Sequence, residues 1–411
     1  MQHPNYPCQT LVAATLEGEA PNKKTPYLSL SNFYFFYYAS LGALLPYWTL
    51  YLESLEFTVL QISQLMAVFL ATKIIAPSIW GWLADFTGQP VRVIRWGGAL
   101  SVLFFGLVFI DRGFVSLFVM MASFSFFRNA ILPQMEVITL SHLRHQLTRY
   151  SQIRLWGSVG FMLAVMALGL VIDLFSVTLL PAIILFLLVG LWLSTLLISE
   201  PASLNCREGQ GGLLKLIMTP NILVFFIVGF LMQLSHGPYY TFFSIYMDEL
   251  GYNKSLIGML WNLGVLAEIG VFWVMHRLMS AFSARSILLV SLLLSVIRWG
   301  LIGFHAESLV LLLLAQVFHA ASFASFHAVC IHFVYLAFPR QYEGQGQALY
   351  VSVSFGGGGA LGAILAGVAW RDGGAQASFG SAAVVCALAF LIAFIWLRFP
   401  AHRAGEANDV G

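Results

Sequence analysis

The residues that stand out chemically are charges placed where charges are costly. Lys73, Arg128, Glu136, Arg154, Glu268 and Arg298 each lie inside a long run of apolar residues, and His319 lies in another. A charge at the centre of a membrane-spanning helix costs about 2.5–3.5 kcal/mol on insertion scales. Six together would cost about 15–20 kcal/mol, more than the net stability of most proteins. They must be paired or solvated, and one wet cavity would serve most of them. Arg and Lys in such a cavity offer donors to carboxylates and hydroxyls. A carboxylate beside an imidazole can take up and release a proton. The chemistry this set suits is the recognition of a small solute together with proton movement.

Other reaction chemistries find little support. Cys8, Cys206, Cys330 and Cys386 are scattered, with no C-x-x-C pair, so neither a disulfide framework nor a metal site can be read from them. The run Gly356–Gly359 lacks the Lys-Ser/Thr ending of a phosphate loop and reads as close helix packing. There is no G-x-S-x-G elbow. A formal charge of +2 is too small to suggest nucleic acid. The pattern calls for no enzyme activity and no cofactor. His236, His327 and His332 also lie in apolar runs, where a lone His is as good a packing hydrogen-bonder as a proton carrier.

The elements that must hold these charges are long apolar helices. Of 411 residues, 59% are hydrophobic and 9% charged, against roughly a quarter charged in soluble domains. Lipid must be the main solvent. A spanning helix needs about 20 mostly apolar residues. Spans are expected near 27–52, 59–84, 94–111, 114–139, 152–172 and 176–198, then near 220–247, 254–276, 285–304, 308–338, 345–370 and 376–399. This divides the chain into a tail (1–26), a first six-helix bundle (27–198), a polar linker (199–219), a second bundle (220–399) and a short tail (400–411). The first tail is polar and reads as soluble, not as a signal peptide.

One set of loops and both tails carry Lys23, Lys24, Arg92, Arg95, Arg144, Arg149, Arg207, Lys215, Arg277, Arg285, Arg340, Arg398 and Arg403. The opposite loops carry Arg112, Lys254 and Arg371. The positive-inside rule then places both termini in the cytoplasm and the protein in the inner membrane.

The halves resemble each other. YLESLEFTVLQI from Tyr51 aligns with YMDELGYNKSLI from Tyr246, and SVGF at Ser158–Phe161 with SVSF at Ser352–Phe355. Lys73 and Glu268 share the first of these offsets, which sets opposite charges at equivalent depths of helices 2 and 8. Glu136, late in helix 4, and Arg154, early in helix 5, also fall at similar depth and are placed to pair. Pro46, Pro133 and Pro238 are expected to bend their helices. The aromatic runs Phe33–Tyr38 and Tyr239–Phe243 are expected mostly against lipid or in packing, with Tyr37, Tyr240 and Trp261 as candidates to line a site that accepts aromatic groups.

The loop after helix 2, GWLADFTGQPVR, resembles the helix 2–3 signature of the major facilitator superfamily, with Gly81, Leu83, Asp85, Gly88 and Arg92 in place and the usual basic run reduced to Gln89 and Pro90. The glycines permit a tight turn, and Asp85 is suited to cap or pair at a helix end. RLWGSVGF from Arg154, HGPYYTFFSIY from His236, GMLWNLGVLAEIGVF from Gly258 and QVFHAASF from Gln316 are similar to the phenylpropionate permease branch, which is related to lactose permease. The resemblance covers nearly the whole chain. It implies an all-α membrane protein of twelve transmembrane helices in two pseudo-symmetric six-helix bundles, the major facilitator fold.

It also implies roles. Glu136 and Arg154 match a sugar-binding pair of lactose permease. Glu268, Arg298 and His319 match its proton-coupling cluster. Gly81, Asp85, Gly88 and Arg92 match the gating loop. Two positions depart: Phe161 stands where lactose permease stacks a Trp on sugar, and Ser322 where it has a Glu one turn after the His. The resemblance implies a secondary transporter driven by protons and leaves the substrate open; the leading expectation is import of a small organic acid, aromatic in character, for which Lys73, Arg154 and Arg298 offer carboxylate partners. A sugar or nucleoside carrier and an efflux pump are the alternatives. The expected partners are a small-molecule substrate, protons and the bilayer, with no nucleic acid, and the expected state is a monomer.

Overall fold

The computed structural model describes residues 26–143, 147–200 and 213–400. Both tails, most of the linker, and Lys23, Lys24, Arg144, Arg207, Arg403, Cys8 and Cys206 lie outside the described residues. Ten helical segments are long and apolar enough to cross a membrane. One of them, Arg340–Trp396, is a helical hairpin broken at Gly374, whose φ of 65° suits glycine. Tyr27–Ser54, 28 residues long, adds a further crossing whose tyrosines and serines lower its hydropathy. Among the described residues the crossings therefore number twelve.

We label them α1 (Tyr27–Ser54), α2 (Val59–Thr87), α3 (Pro90–Phe105, continued by a 3-10 turn), α4 (Phe114–Leu143), α5 (Leu147–Leu174) and α6 (Leu180–Leu196). The second half has α7 (Pro220–Glu249), α8 (Lys254–Ala281), α9 (Ala284–His305), α10 (Leu309–Ala337), α11 (343–372) and α12 (375–396).

Local signals set the ends. Thr58 and Gln61 form a reciprocal capping box at the start of α2, and Gly88, at φ 63°, closes it. Asn253 caps α8, and Ser283 caps α9. Pro46, Pro77 and Pro133 lie inside α1, α2 and α4. Pro238 follows the joint of α7 at His236, where Pro220–Ser235 hands over to Gly237–Glu249.

Within the first bundle α1 packs on α5 and α6, α2 on α4, and α3 on α4 and α6. The second bundle repeats the pattern: α7 on α11, α8 on α10, and α9 on α10 and α12. This is the two-fold relationship that the paired motifs predict. The bundles meet through α2–α11, α5–α8 and α1–α7.

The inter-bundle hydrogen bonds concentrate on the side away from the chain ends. Asp173, at the end of α5, accepts from the backbone N–H groups of Lys254 and Ser255 (2.8 Å each) and from Ser255 Oγ (2.5 Å). Tyr47 Oη donates to the Val165 carbonyl (2.7 Å) and lies 3.3 Å from that of Lys254. Nearer mid-membrane, Asn262 donates to the Met162 carbonyl (3.0 Å) and Ser352 Oγ to that of Ile74 (2.8 Å). The bonds of Asp173 and Tyr47 latch the two halves on the side of the membrane away from the chain ends.

Glycine makes the seam close. On α11, a Cβ at Gly356, Gly359 or Gly367 would meet Ile74, Leu70 or Ser63 of α2 at 2.8, 3.3 and 2.2 Å. The run Gly356–Gly359 is thus helix packing, as its sequence suggests. It overlaps a π-helical stretch, Val351–Gly358, and a second such stretch, Ala321–Ser325, interrupts α10 beside His319. Such bulges recur at functional sites.

Candidate functional site

The intramembrane charges divide between the two bundles. In the second, His319 of α10 brings Nε2 to 2.6 Å from Glu268 Oε1 of α8. Gly264, one turn before Glu268, makes room, since a Cβ there would sit 2.9 Å from the His319 ring. Arg298 of α9 is fully buried behind the pair and its charge acts on Glu268. Its Nε donates to the Ala315 carbonyl (3.2 Å) and its Nη1 to Ser322 Oγ (3.0 Å). Ala315 belongs to the last turn of the first α10 segment, Leu309–Val317, where carbonyls lack helical partners. Arg298 therefore fills an acceptor that the π-helical interruption leaves over. Its guanidinium also lies 4.3 Å from the ring of Tyr239 and 4.4 Å from that of Trp299, contacts worth about 0.5–2 kcal/mol each.

An aromatic wall from α7 and α8 stands beside this cluster. Tyr239 packs 4.5 Å from Trp261 and donates to Gln316 Oε1 (3.0 Å). Trp261 is buried and donates to Ser244 Oγ (3.1 Å), so it serves as packing more than as lining. Tyr240 is half-buried, stacked 5.8 Å from His236 and 6.2 Å from Trp261. His236 is fully buried at the α7 joint, with Nδ1 on the Met232 carbonyl (2.9 Å).

In the first bundle Arg154 of α5 donates to Tyr38 Oη and lies 4.0 Å from that ring and 5.7 Å from that of Tyr34. Gly157 permits this approach, because a Cβ there would lie 2.6 Å from Tyr38. Glu136 of α4 is half-buried, and the charges of Glu136 and Arg154 act on each other. They form no direct ion pair, because the guanidinium is drawn onto Tyr38. The two are neighbours in one site, where the sequence suggested a contact pair. Arg154 also acts electrostatically on Glu268 across the bundle boundary.

Arg128 is buried against α1. It donates to the Tyr37 carbonyl (3.1 Å), Tyr37 Oη (3.4 Å) and Ser40 Oγ (3.3 Å), and lies 4.2 Å from the Tyr37 ring. Tyr37 is therefore the plate that holds Arg128, and it is 5% exposed. Lys73 is half-buried, 5.9 Å from the Phe69 ring, with Arg128 the charge that acts on it. Lys73 and Glu268 hold equivalent positions in the two bundles without pairing. The aromatic runs lie mostly inside: Phe33, Tyr34, Tyr37, Tyr239, Phe242 and Phe243 are all buried, so lipid is not their partner.

The loop after α2 departs in one respect. Gly88 makes the turn, and Gly81 lies beside Gln134 of α4, where a Cβ would find 3.6 Å. Asp85 is exposed and makes no hydrogen bond or ion pair among the described residues, so it caps nothing here. The capping carboxylate is Glu200, which accepts from the backbone N–H groups of Val91 and Arg92 (3.2 Å each) at the start of α3. Arg92 takes part through its backbone. Arg95 completes the clip, donating to the Thr195, Leu196 and Ile198 carbonyls at the end of α6. Tyr38, Asp173 and Glu200 are the contributors that sequence reasoning passed over. The Tyr34–Tyr38 spacing, one helical turn on one face, was the available signal for the first.

Two bundles around a divided set of buried charges define a transporter of the major facilitator kind. Residues 27–381 match the MFS_1 like family, and the chain belongs to it. It is similar to the probable 3-phenylpropionic acid transporter of Escherichia coli (strain K12), 28% identical over 361 residues that span 85% of this chain and 92% of that one. It is also similar to the maltose permease of Geobacillus stearothermophilus, 26% identical over 392 residues, 91% of this chain and 95% of the permease. The fold superposes on the solved structure of the nucleoside transporter NupG with a TM-score of 0.79 at 19% identity, over 90% of this chain and 99% of that one. The protein is a multi-pass membrane transporter.

Proposed function

We propose that the protein is a proton-coupled symporter of a small organic acid, aromatic and phenylpropionate-like, across the inner membrane. The observation that carries the coupling is the 2.6 Å contact between Glu268 and His319, with Arg298 behind it. A carboxylate held between an imidazole and a guanidinium can exchange one proton as the guanidinium is engaged or released. The likeness to the probable 3-phenylpropionic acid transporter of E. coli supports the substrate class. So does an excess of positive charge in the first bundle, where Lys73, Arg128 and Arg154 stand against Glu136.

In this reading Glu136, Arg154 and Lys73 receive the substrate's polar groups, and Tyr240 offers it an aromatic face. Trp261 and Tyr37 act from behind, as supports. The loop of Gly81, Asp85, Gly88 and Arg92 takes part in gating. Residues 27–198 and 220–399 move as two bodies about the linker 199–219, with both tails cytoplasmic and the protein a monomer. The latched side, at Asp173, then faces outward.

A sugar or nucleoside carrier is the second reading, favoured by the maltose permease and by Glu136 lying beside Arg154. A thermal-shift series on purified protein with 3-phenylpropionate, maltose and uridine separates the two. Stabilisation by the acid is expected; stabilisation by maltose or uridine with none by the acid would replace the first reading by the second.

A further inference from the structure

Lys73 and Arg128 pose a charge problem that the proton site does not solve. Arg298 has Glu268 within electrostatic reach, and Arg154 has Glu136. The charge acting on Lys73 is that of Arg128, another cation, and no carboxylate among the described residues forms an ion pair with either. Arg128 is 1% exposed, pinned by Tyr37 and Ser40, and its Nε has no partner. It is a fixed positive charge with no room to move. Lys73 is half-buried on a long flexible stem, and its ammonium has no hydrogen-bond acceptor among the described residues. Two neighbouring cations without a counter-ion in a membrane interior are costly, and an anion delivered from outside the chain relieves both at once.

The position suits a ligand. Lys73 sits on α2 between Leu70 and Ile74, which meet Gly359 and Gly356 of α11, so its backbone lies at the seam between bundles. The glycines of α11 bring the two helices close there, so Lys73 stands beside the line where the bundles meet. Ser125, Asn129 and Thr72 close the space behind with their own bonds, Asn129 Nδ2 to Thr72 Oγ1 (2.9 Å) and Thr72 Oγ1 to Ser125 Oγ (2.9 Å). None of the three hydrogen-bonds to Lys73.

We propose that Lys73 is the seat of the substrate's carboxylate, backed by the fixed charge of Arg128, so that the anion binds on the first bundle while the proton binds on the second. The inference rests on the organic-acid reading and sharpens it: the acidic group goes to α2, and Arg154 with Glu136 is left for other polar groups of the substrate. Substrate and proton then bind on opposite bodies and meet only when the bundles do.

The test compares 3-phenylpropionate with its neutral isostere 3-phenylpropanamide, by titration of the purified protein. The wild type is expected to bind the acid at least tenfold more tightly than the amide. Lys73→Gln is expected to lose that tenfold preference, with an unchanged far-ultraviolet helical signal and elution profile reporting that the variant is folded. Lys73→Arg is expected to keep the preference. If Lys73→Gln still prefers the acid, or if acid and amide binding fall together, Lys73 is not the seat and the organic-acid reading stands without it. If the wild type binds neither compound, or binds both equally, the organic-acid reading itself is overturned and the inference with it.

Discussion

Arg298 Nη1 donates to Ser322 Oγ at 3.0 Å, so this buried guanidinium is met by a hydroxyl at the position where the lactose permease pattern has a carboxylate. The acid nearest in electrostatic effect is Glu268, one helix away. Removing the hydroxyl leaves a buried charged donor without its acceptor, which costs about 1–3 kcal/mol. Ser322→Ala is expected to lower the thermal unfolding midpoint, and Ser322→Thr to restore it. Unchanged unfolding of Ser322→Ala would mean that Arg298 draws its support from elsewhere.

Glu268 carries the proton in the proposed cycle. Glu268→Gln is expected to abolish accumulation against a gradient while leaving substrate exchange, because exchange needs no net proton release. One carboxylate moved with one proton transfers no net charge, so uptake into vesicles is expected to follow an imposed pH difference and to ignore an imposed potential. Accumulation that survives Glu268→Gln would move the coupling site, with Glu136 the next candidate.

Arg154 is held by Tyr38 through both its ring and its hydroxyl. A lysine ammonium is a point charge and cannot stack and donate in that geometry. Arg154→Lys is expected to weaken substrate binding tenfold or more, about 1.4 kcal/mol, and Tyr38→Phe to do so in part. Wild-type affinity in Arg154→Lys would rule out planar recognition at this position.

Asp173 both caps α8 and ties it to α5. Loss of an N-cap costs about 0.5–2 kcal/mol, here borne only by the latched state. Asp173→Ala is expected to raise the unlatched population several-fold. A single cysteine at Val165 would then react faster with an impermeant thiol reagent added outside. An unchanged rate would show that the latch lies elsewhere, for example in Tyr47.

The twelve crossings were readable in the sequence because a membrane imposes a length and a polarity on each helix independently of its neighbours. The hairpin turn at Gly373 and Gly374 was readable for the same reason. Glu268 and His319 were legible as charges that lipid cannot tolerate. Their contact, by contrast, follows from the packing of α8 on α10. Tyr37 has the type of a site-lining residue, but its ring serves Arg128, a partner on another helix. Asp85 is suited by type and place to cap or pair; the acid that caps α3 is Glu200, far along the chain. Propensity and periodicity carry no information about such pairs. The π-helical interruptions were invisible too, since they answer to neighbours such as Arg298 and not to local composition.

The glycine face of α11 sets how the switch between states is resisted. Knobs interlocked in holes would have to climb over one another for α2 and α11 to separate, and the activation enthalpy would grow with the length of the seam. A smooth strip at Gly356, Gly359 and Gly367 offers little to disengage. The seam behaves as a bearing surface: it holds alignment and contributes little friction. The barrier then falls on discrete polar catches at Asp173, Tyr47 and Ser352, each of which single substitutions can tune without loosening the bodies that turn.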